Sequence, residues 1–143
     1  MRALTLYRPW PWAILHAQHN PKLIENRSWK PPPSIIGQRI ILHAGATFQK
    51  DAVDDILHLT KTSVLPAEAT DMGLIGMVTV RGYASSEAEC EQFMLGLSDW
   101  FSGPFGWLLS DRVVFKEPIA IKGAMGLWEV PRWAMAKVED QLR

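Results

Sequence analysis

Five short runs rich in β-branched, aliphatic or aromatic residues constrain the fold most. They are ALTLY (3–7), QRIILHAG (38–45), GLIGMVTVRGYA (73–84), the stretch near 106–115, and PIAIKGAMGLWEV (118–130). Proline, glycine or polar residues punctuate them, as expected for strands. The segments with helical periodicity between them are short and unevenly placed. That spacing is unlike the regular alternation of a parallel βαβ series. The expectation is an α+β domain, mainly β. About five or six strands form a strongly bent mixed or antiparallel sheet that closes into a small barrel, with helices packed outside. At 143 residues the chain reads as one domain, 1–143, able to bury a real core.

The helical segments carry their own signals. Pro11 suits a first helical position, so PWAILHAQ reads as a short helix. In ATFQKDAVDDILHLT, Phe48, Ala52, Val53, Ile56, Leu57 and Leu59 recur at helical spacing, with the acids on the other face. Ser86 and Glu89 form a capping box for a helix running to Leu97. Pro131 opens a final helix, and residues 60–72 form a loop with one helical turn after Pro66. PPPSIIG is a stiff extended connection. Gly76, inside a strand pattern, marks a bulge or a close backbone approach.

Hydrophobic residues make up 48% of the chain, yet no stretch approaches the roughly 20 apolar residues of a membrane span. The N-terminus lacks the apolar core of a secretory signal. Cys90 is alone, so no internal disulfide or cysteine-rich metal site exists, and it reads as a small buried residue. A cytoplasmic protein without a membrane partner is expected. The net charge is zero but unevenly distributed. Residues 1–45 carry six basic side chains against one acidic, a net of +5; residues 46–99 are net −6; the remainder is net +1. A neutral total therefore leaves a polyanionic partner open.

The densest polar segment is NPKLIENRSWKPPP, residues 20–33. A helix here has few apolar anchors and runs into three prolines, so a strand is the better reading. Strand alternation places Leu23, Glu25, Arg27 and Trp29 on one face, and Lys22, Ile24, Asn26, Ser28 and Lys30 on the other. In a closed core the charges of Glu25 and Arg27 would each cost several kcal/mol of desolvation before compensation. At a barrel mouth they stay partly wet. There an arginine fork suits phosphate or a base edge. A tryptophan can stack a base, worth ~1–3 kcal/mol in single-strand binders. A glutamate accepts from a base amino group or serves as a general acid or base. A surface ion pair of little energetic weight is the alternative.

At these residues the chain resembles the ASCH domain family of the PUA-like superfamily. The family signature, Gly-x-Lys-x-x-Glu-x-Arg, is similar to NPKLIENR, with Lys22, Glu25 and Arg27 in register and Asn20 at the glycine position. Asparagine is the non-glycine residue that best tolerates positive φ, so the turn survives the exchange. LTLYRPWPWAIL looks like the family's opening strand, proline turn and first helix. The resemblance implies a PUA-like β-barrel with a cleft beside the first helix, lined by the signature residues. It implies binding of RNA, of another nucleic acid, or of a nucleotide-like small molecule. The alternative it implies is a hydrolase acting on RNA or on a modified nucleoside, with Lys22 and Glu25 as catalytic groups and His43 as a third. One amidohydrolase branch places a threonine where this chain has Glu25, so that branch's nucleophile is missing here.

The expected ligand-binding set is therefore Trp10, Lys22, Glu25, Arg27, Trp29 and His43, with Trp10 and Trp29 as stacking surfaces. No cofactor and no metal is expected. His16 and His19, three apart at a helix end, lack a third ligand and suit C-terminal capping. SGPFGW (102–107) is either a loop over the cleft or a hairpin turn, and Lys122 and Gly123 are expected to pass near the cleft.

Overall fold

The computed structural model describes all 143 residues. In chain order the elements are β1 (Arg2–Arg8), α1 (Trp10–Leu15), β2 (Ile24–Arg27), β3 (Arg39–Phe48), α2 (Val53–Thr60), β4 (Gly73–Ala84), α3 (Glu87–Phe93), β5 (Phe105–Ile119), β6 (Leu127–Glu129) and α4 (Arg132–Gln141). The fold is α+β and mainly strand. All six strands join one sheet in the order β2-β5-β4-β3-β1-β6. Only the β1–β3 pair is parallel.

The hydrogen-bonded ladder does not close: β2 and β6 are its edges. The bend that was expected to complete a barrel instead brings β2 beside β1 without pairing their backbones. Arg27 on β2 reaches across and donates from Nη2 to the carbonyl of Thr5 on β1 at 3.0 Å. A side chain thus spans the gap where a closing ladder would run, and that gap becomes the cleft.

Alternation along the strands divides the core. Leu4 and Leu6, Ile40 and Leu42, Val78 and Val80, and Trp107 and Leu109 pack with Ile14 and Leu15 of α1. Ala3, Ile41, Met77 and Phe115 lie in a separate cluster with Ala134 and Val138 of α4. Trp12, Ala13 and Ala17 meet Ile24, Ile56, Leu97 and Trp100 in a third. Each fully buried aliphatic side chain contributes about 1.5–3 kcal/mol. Gly76 is required where β4 crosses β5: a Cβ there would stand 2.4 Å from the carbonyl oxygen of Val113, and the pairing register shifts beside it.

Several boundaries differ from the sequence expectation. Ala46 to Phe48 complete β3, and a 3-10 turn at Lys50–Ala52 precedes α2. PPPSIIG contains a 3-10 turn, Pro33–Ile35, rather than staying extended. The expected turn after Pro66 is present at Ala67–Thr70. Ser86 accepts the N–H of Glu89 at 3.2 Å, while the Glu89 carboxylate returns to the N–H of Ser85 at 3.0 Å. That helix stops at Phe93, before Leu97, because the Glu91 carboxylate takes the N–H groups of Gly96 and Ser98 into a turn. Residues 120–126 hold no strand. No helix is long and apolar enough to cross a membrane. Cys90 is buried and free.

Candidate functional site

Asn20 begins the construction. Its φ of 48° is the positive value that a glycine would supply. Its carbonyl accepts the indole N–H of Trp100 at 3.0 Å. Two residues on, the Lys22 N–H bonds to the carbonyl of Ala13 in α1 at 3.0 Å, and the Leu23 N–H returns to the Pro21 carbonyl at 2.9 Å. The second bond makes a three-residue turn centred on Lys22. The turn breaks strand alternation. Lys22, assigned by alternation to the face opposite Glu25, instead swings to the same side.

The result is a compact charged cluster. Lys22 Nζ donates to the Ile24 carbonyl at 2.8 Å and lies 3.3 Å from Glu25 Oε1. Arg27 Nε donates to Glu25 Oε2 at 3.0 Å. Lys22 and Glu25 are buried, 4% and 8% exposed, and the Arg27 side chain is about one quarter exposed. Burial lowers the Lys22 pKa from the ordinary lysine value; the Glu25 carboxylate opposes the shift and the Arg27 charge adds to it. Lys22 Nζ also sits 5.1 Å from the centre of the Trp10 ring.

Around the cluster opens a cavity of about 870 Å³. Trp10, Lys22, Glu25, Arg27 and Trp29 all line it, so five of the six expected residues come together. Tyr7, Trp100 and Phe101 add aromatic wall, and Asp55, His58 and Asp99, all exposed, stand in its rim. Trp10 is held by its indole N–H to Gln49 at 2.8 Å, and Trp29 packs edge-on to Trp107 at 4.8 Å. Asn26 fastens the remaining wall: its amide donates to the Trp100 carbonyl and its oxygen accepts the N–H groups of Ser102 and Gly103. The start of SGPFGW is thus cleft wall. Gly106 serves packing, since a Cβ there would meet Ile24 at 2.2 Å.

His43 lies outside this wall. It is buried behind Thr5, whose hydroxyl is 3.2 Å from Nδ1, and its Nε2–H donates to the Ile121 carbonyl at 2.7 Å. Trp128 donates to the same hydroxyl at 3.0 Å and packs edge-on to the imidazole. Burial lowers the His43 pKa, partly offset by the Ile121 bond. Gly123 is pressed against Thr5 and His43 on this far side of β1. His16 forms the C-terminal cap of α1 and lies 3.6 Å from Glu68. No three His, Cys, Asp or Glu side chains converge to hold a metal ion.

The six cations of residues 1–45 do not form one basic face. Arg2 lies 4.0 Å from Glu129. Arg8 is spent on the carbonyls of Gly45, Ala46 and Thr70. Lys30 covers Tyr83 and Phe105. Only Lys22 and Arg27 of the six line the large cavity. Tyr7, Asp55, Asp99, Trp100 and Phe101 were not expected from the sequence; they arrive from three separate segments and carry no local motif. No known protein-family model matches the chain, and no curated protein matches it.

Proposed function

We propose that the cleft binds a nucleobase, presented by RNA or by a free nucleoside or nucleotide, in a cytoplasmic protein of the ASCH type. The observation that carries this reading is the set of hydrogen-bonding groups left over in the Lys22–Glu25–Arg27 cluster. Two of the five arginine N–H groups are used, leaving three; each Glu25 oxygen accepts one bond and retains a lone pair. Donors and acceptors therefore stand side by side, matching an edge with an amino group next to a ring-nitrogen acceptor, as in cytosine or adenine. Trp10, Trp29 and Tyr7 supply flat apolar surface for the ring. The cavity volume lies in the range of small-ligand sites. The positive φ of Asn20 supports the resemblance at the one signature position where this chain differs.

The test is equilibrium binding of the four ribonucleosides and their nucleotides to the wild type and to Arg27→Lys. The variant keeps the charge and loses the fork, so affinity falls about tenfold or more for the preferred base. Equal binding of all ligands to both proteins would remove the reading.

One observation favours hydrolysis as a second reading: Lys22 is a buried amine of lowered pKa in contact with a carboxylate, the arrangement of a proton-transfer pair. Turnover of a modified nucleoside or of RNA that disappears in both Lys22→Ala and Glu25→Gln supports it; absence of turnover leaves the cleft a binding site.

A further inference from the structure

The cavity is polarised from floor to mouth, and that polarity bears on what carries the base. Its floor is the buried Lys22–Glu25 pair with Arg27. Its mouth carries the exposed carboxylates of Asp55 and Asp99. Neither is neutralised: Asp55 forms no ion pair, and Asp99 accepts only a neutral amide N–H, from Asn20 at 3.3 Å. A base seated against Glu25 and Arg27 directs its sugar outward, toward these two carboxylates. Carboxylates accept hydrogen bonds from ribose hydroxyls. They repel phosphate, which brings about −1.5 to −2 charge as a monoester. None of the other four basic side chains of the N-terminal third lines the cavity, so none of them offsets that repulsion at the mouth.

Resting on the nucleobase reading above, we infer that the cavity selects an unphosphorylated ribonucleoside, with Asp55 and Asp99 accepting the sugar hydroxyls and turning phosphate away. The acids do not make the site; the buried cluster and the aromatic wall do, and the acids decide which carrier of the base enters. An RNA strand would pass a phosphate on either side of the bound nucleotide across the same two carboxylates.

Calorimetric titration decides the matter. The ligands are the four ribonucleosides, their 2′-deoxy forms, their 5′-monophosphates and a single-stranded RNA oligomer. Each is titrated at low and high salt into the wild type and into Asp55→Asn/Asp99→Asn. For the preferred base, the ribonucleoside binds the wild type about tenfold tighter than its monophosphate at low salt, from two exposed like-charge repulsions. Salt narrows the gap by strengthening monophosphate binding, the reverse of the behaviour of a phosphate-grasping protein. In the double variant the gap falls to about twofold, and the preference for ribose over deoxyribose weakens. A monophosphate or RNA that binds the wild type as tightly as the nucleoside overturns the inference and leaves the nucleobase reading standing. Equal affinity for ribo- and deoxyribonucleosides overturns the sugar contact. If no base-bearing ligand binds either protein, the nucleobase reading fails and the inference falls with it.

Discussion

Glu25→Gln is the substitution from which the cluster's energetics can be read. The carboxylate stands between two cations, 3.3 Å from Lys22 Nζ and 3.0 Å from Arg27 Nε. A glutamine keeps the shape and can still accept from Lys22, but it turns an N–H₂ toward the Arg27 N–H and removes the only negative charge in contact with either cation. Breaking a buried pair by removing one partner costs ~3–5 kcal/mol. Arg27 remains partly wet and Lys22 can give up its proton, so about 3 kcal/mol is expected at neutral pH. With a urea slope of about 2 kcal/mol per molar, the unfolding midpoint drops by about 1.5 M. The cost belongs mainly to the stranded lysine. In a Lys22→Met background the same substitution should therefore cost about 1 kcal/mol or less. The pH dependence has a definite sign. Lys22 in the folded chain has a pKa below 10.5, so the unfolded chain binds that proton more readily. Stability therefore rises as pH climbs toward the ordinary lysine range, more steeply in Glu25→Gln, where the carboxylate no longer supports the ammonium. A loss under ~0.5 kcal/mol at pH 7, or an equal loss with and without Lys22, would refute this account.

Three further outcomes follow from the packing. His43 has a lowered pKa when folded, so below pH ~6.5 the unfolded chain takes up the proton first and stability falls, levelling off below the folded pKa; urea midpoints at pH 8 and 5.5 should converge in His43→Gln relative to the wild type. Gly76→Ala forces a methyl to 2.4 Å from a backbone oxygen that cannot rotate away, costing about 2–3 kcal/mol, as measured by denaturant unfolding. Arg112 donates to the carbonyls of Ile14, Leu15 and Ala17 at the end of α1, so Arg112→Met should cost about 1–2 kcal/mol and alter the near-ultraviolet dichroism of Trp10 and Trp12 on that helix.

The parts of the site that were legible in the sequence depend on short-range rules. Alternation put Glu25 and Arg27 on one face, and Asn20 adopts the positive φ for which its side chain is suited. The Ser86–Glu89 signature marks a real helix start for the same reason. Lys22 was misplaced because a single i to i+2 bond at Pro21–Leu23 resets the alternation, and nothing in NPKLIENR announces that turn. His43 was expected in the ligand-binding set, near the end of a strand closing at Gly45; β3 runs on to Phe48, which leaves His43 in mid-strand and behind Thr5. Asp55, Asp99, Trp100 and Phe101 lie 28 to 76 residues along the chain from Glu25 or Arg27, and only the tertiary fold joins them to the cluster.

The most direct test of the central claim is a ¹⁵N-resolved NMR titration of the protein with the four ribonucleosides. The account predicts, for at least one base, saturable shifts of the Arg27 Nε–H and of the Trp10 and Trp29 indole N–H signals, with the Trp12 indole, on the opposite side of α1 in a separate cavity of about 200 Å³, unmoved. Absence of any saturable shift, or shifts centred on Trp12 and His16, would contradict it.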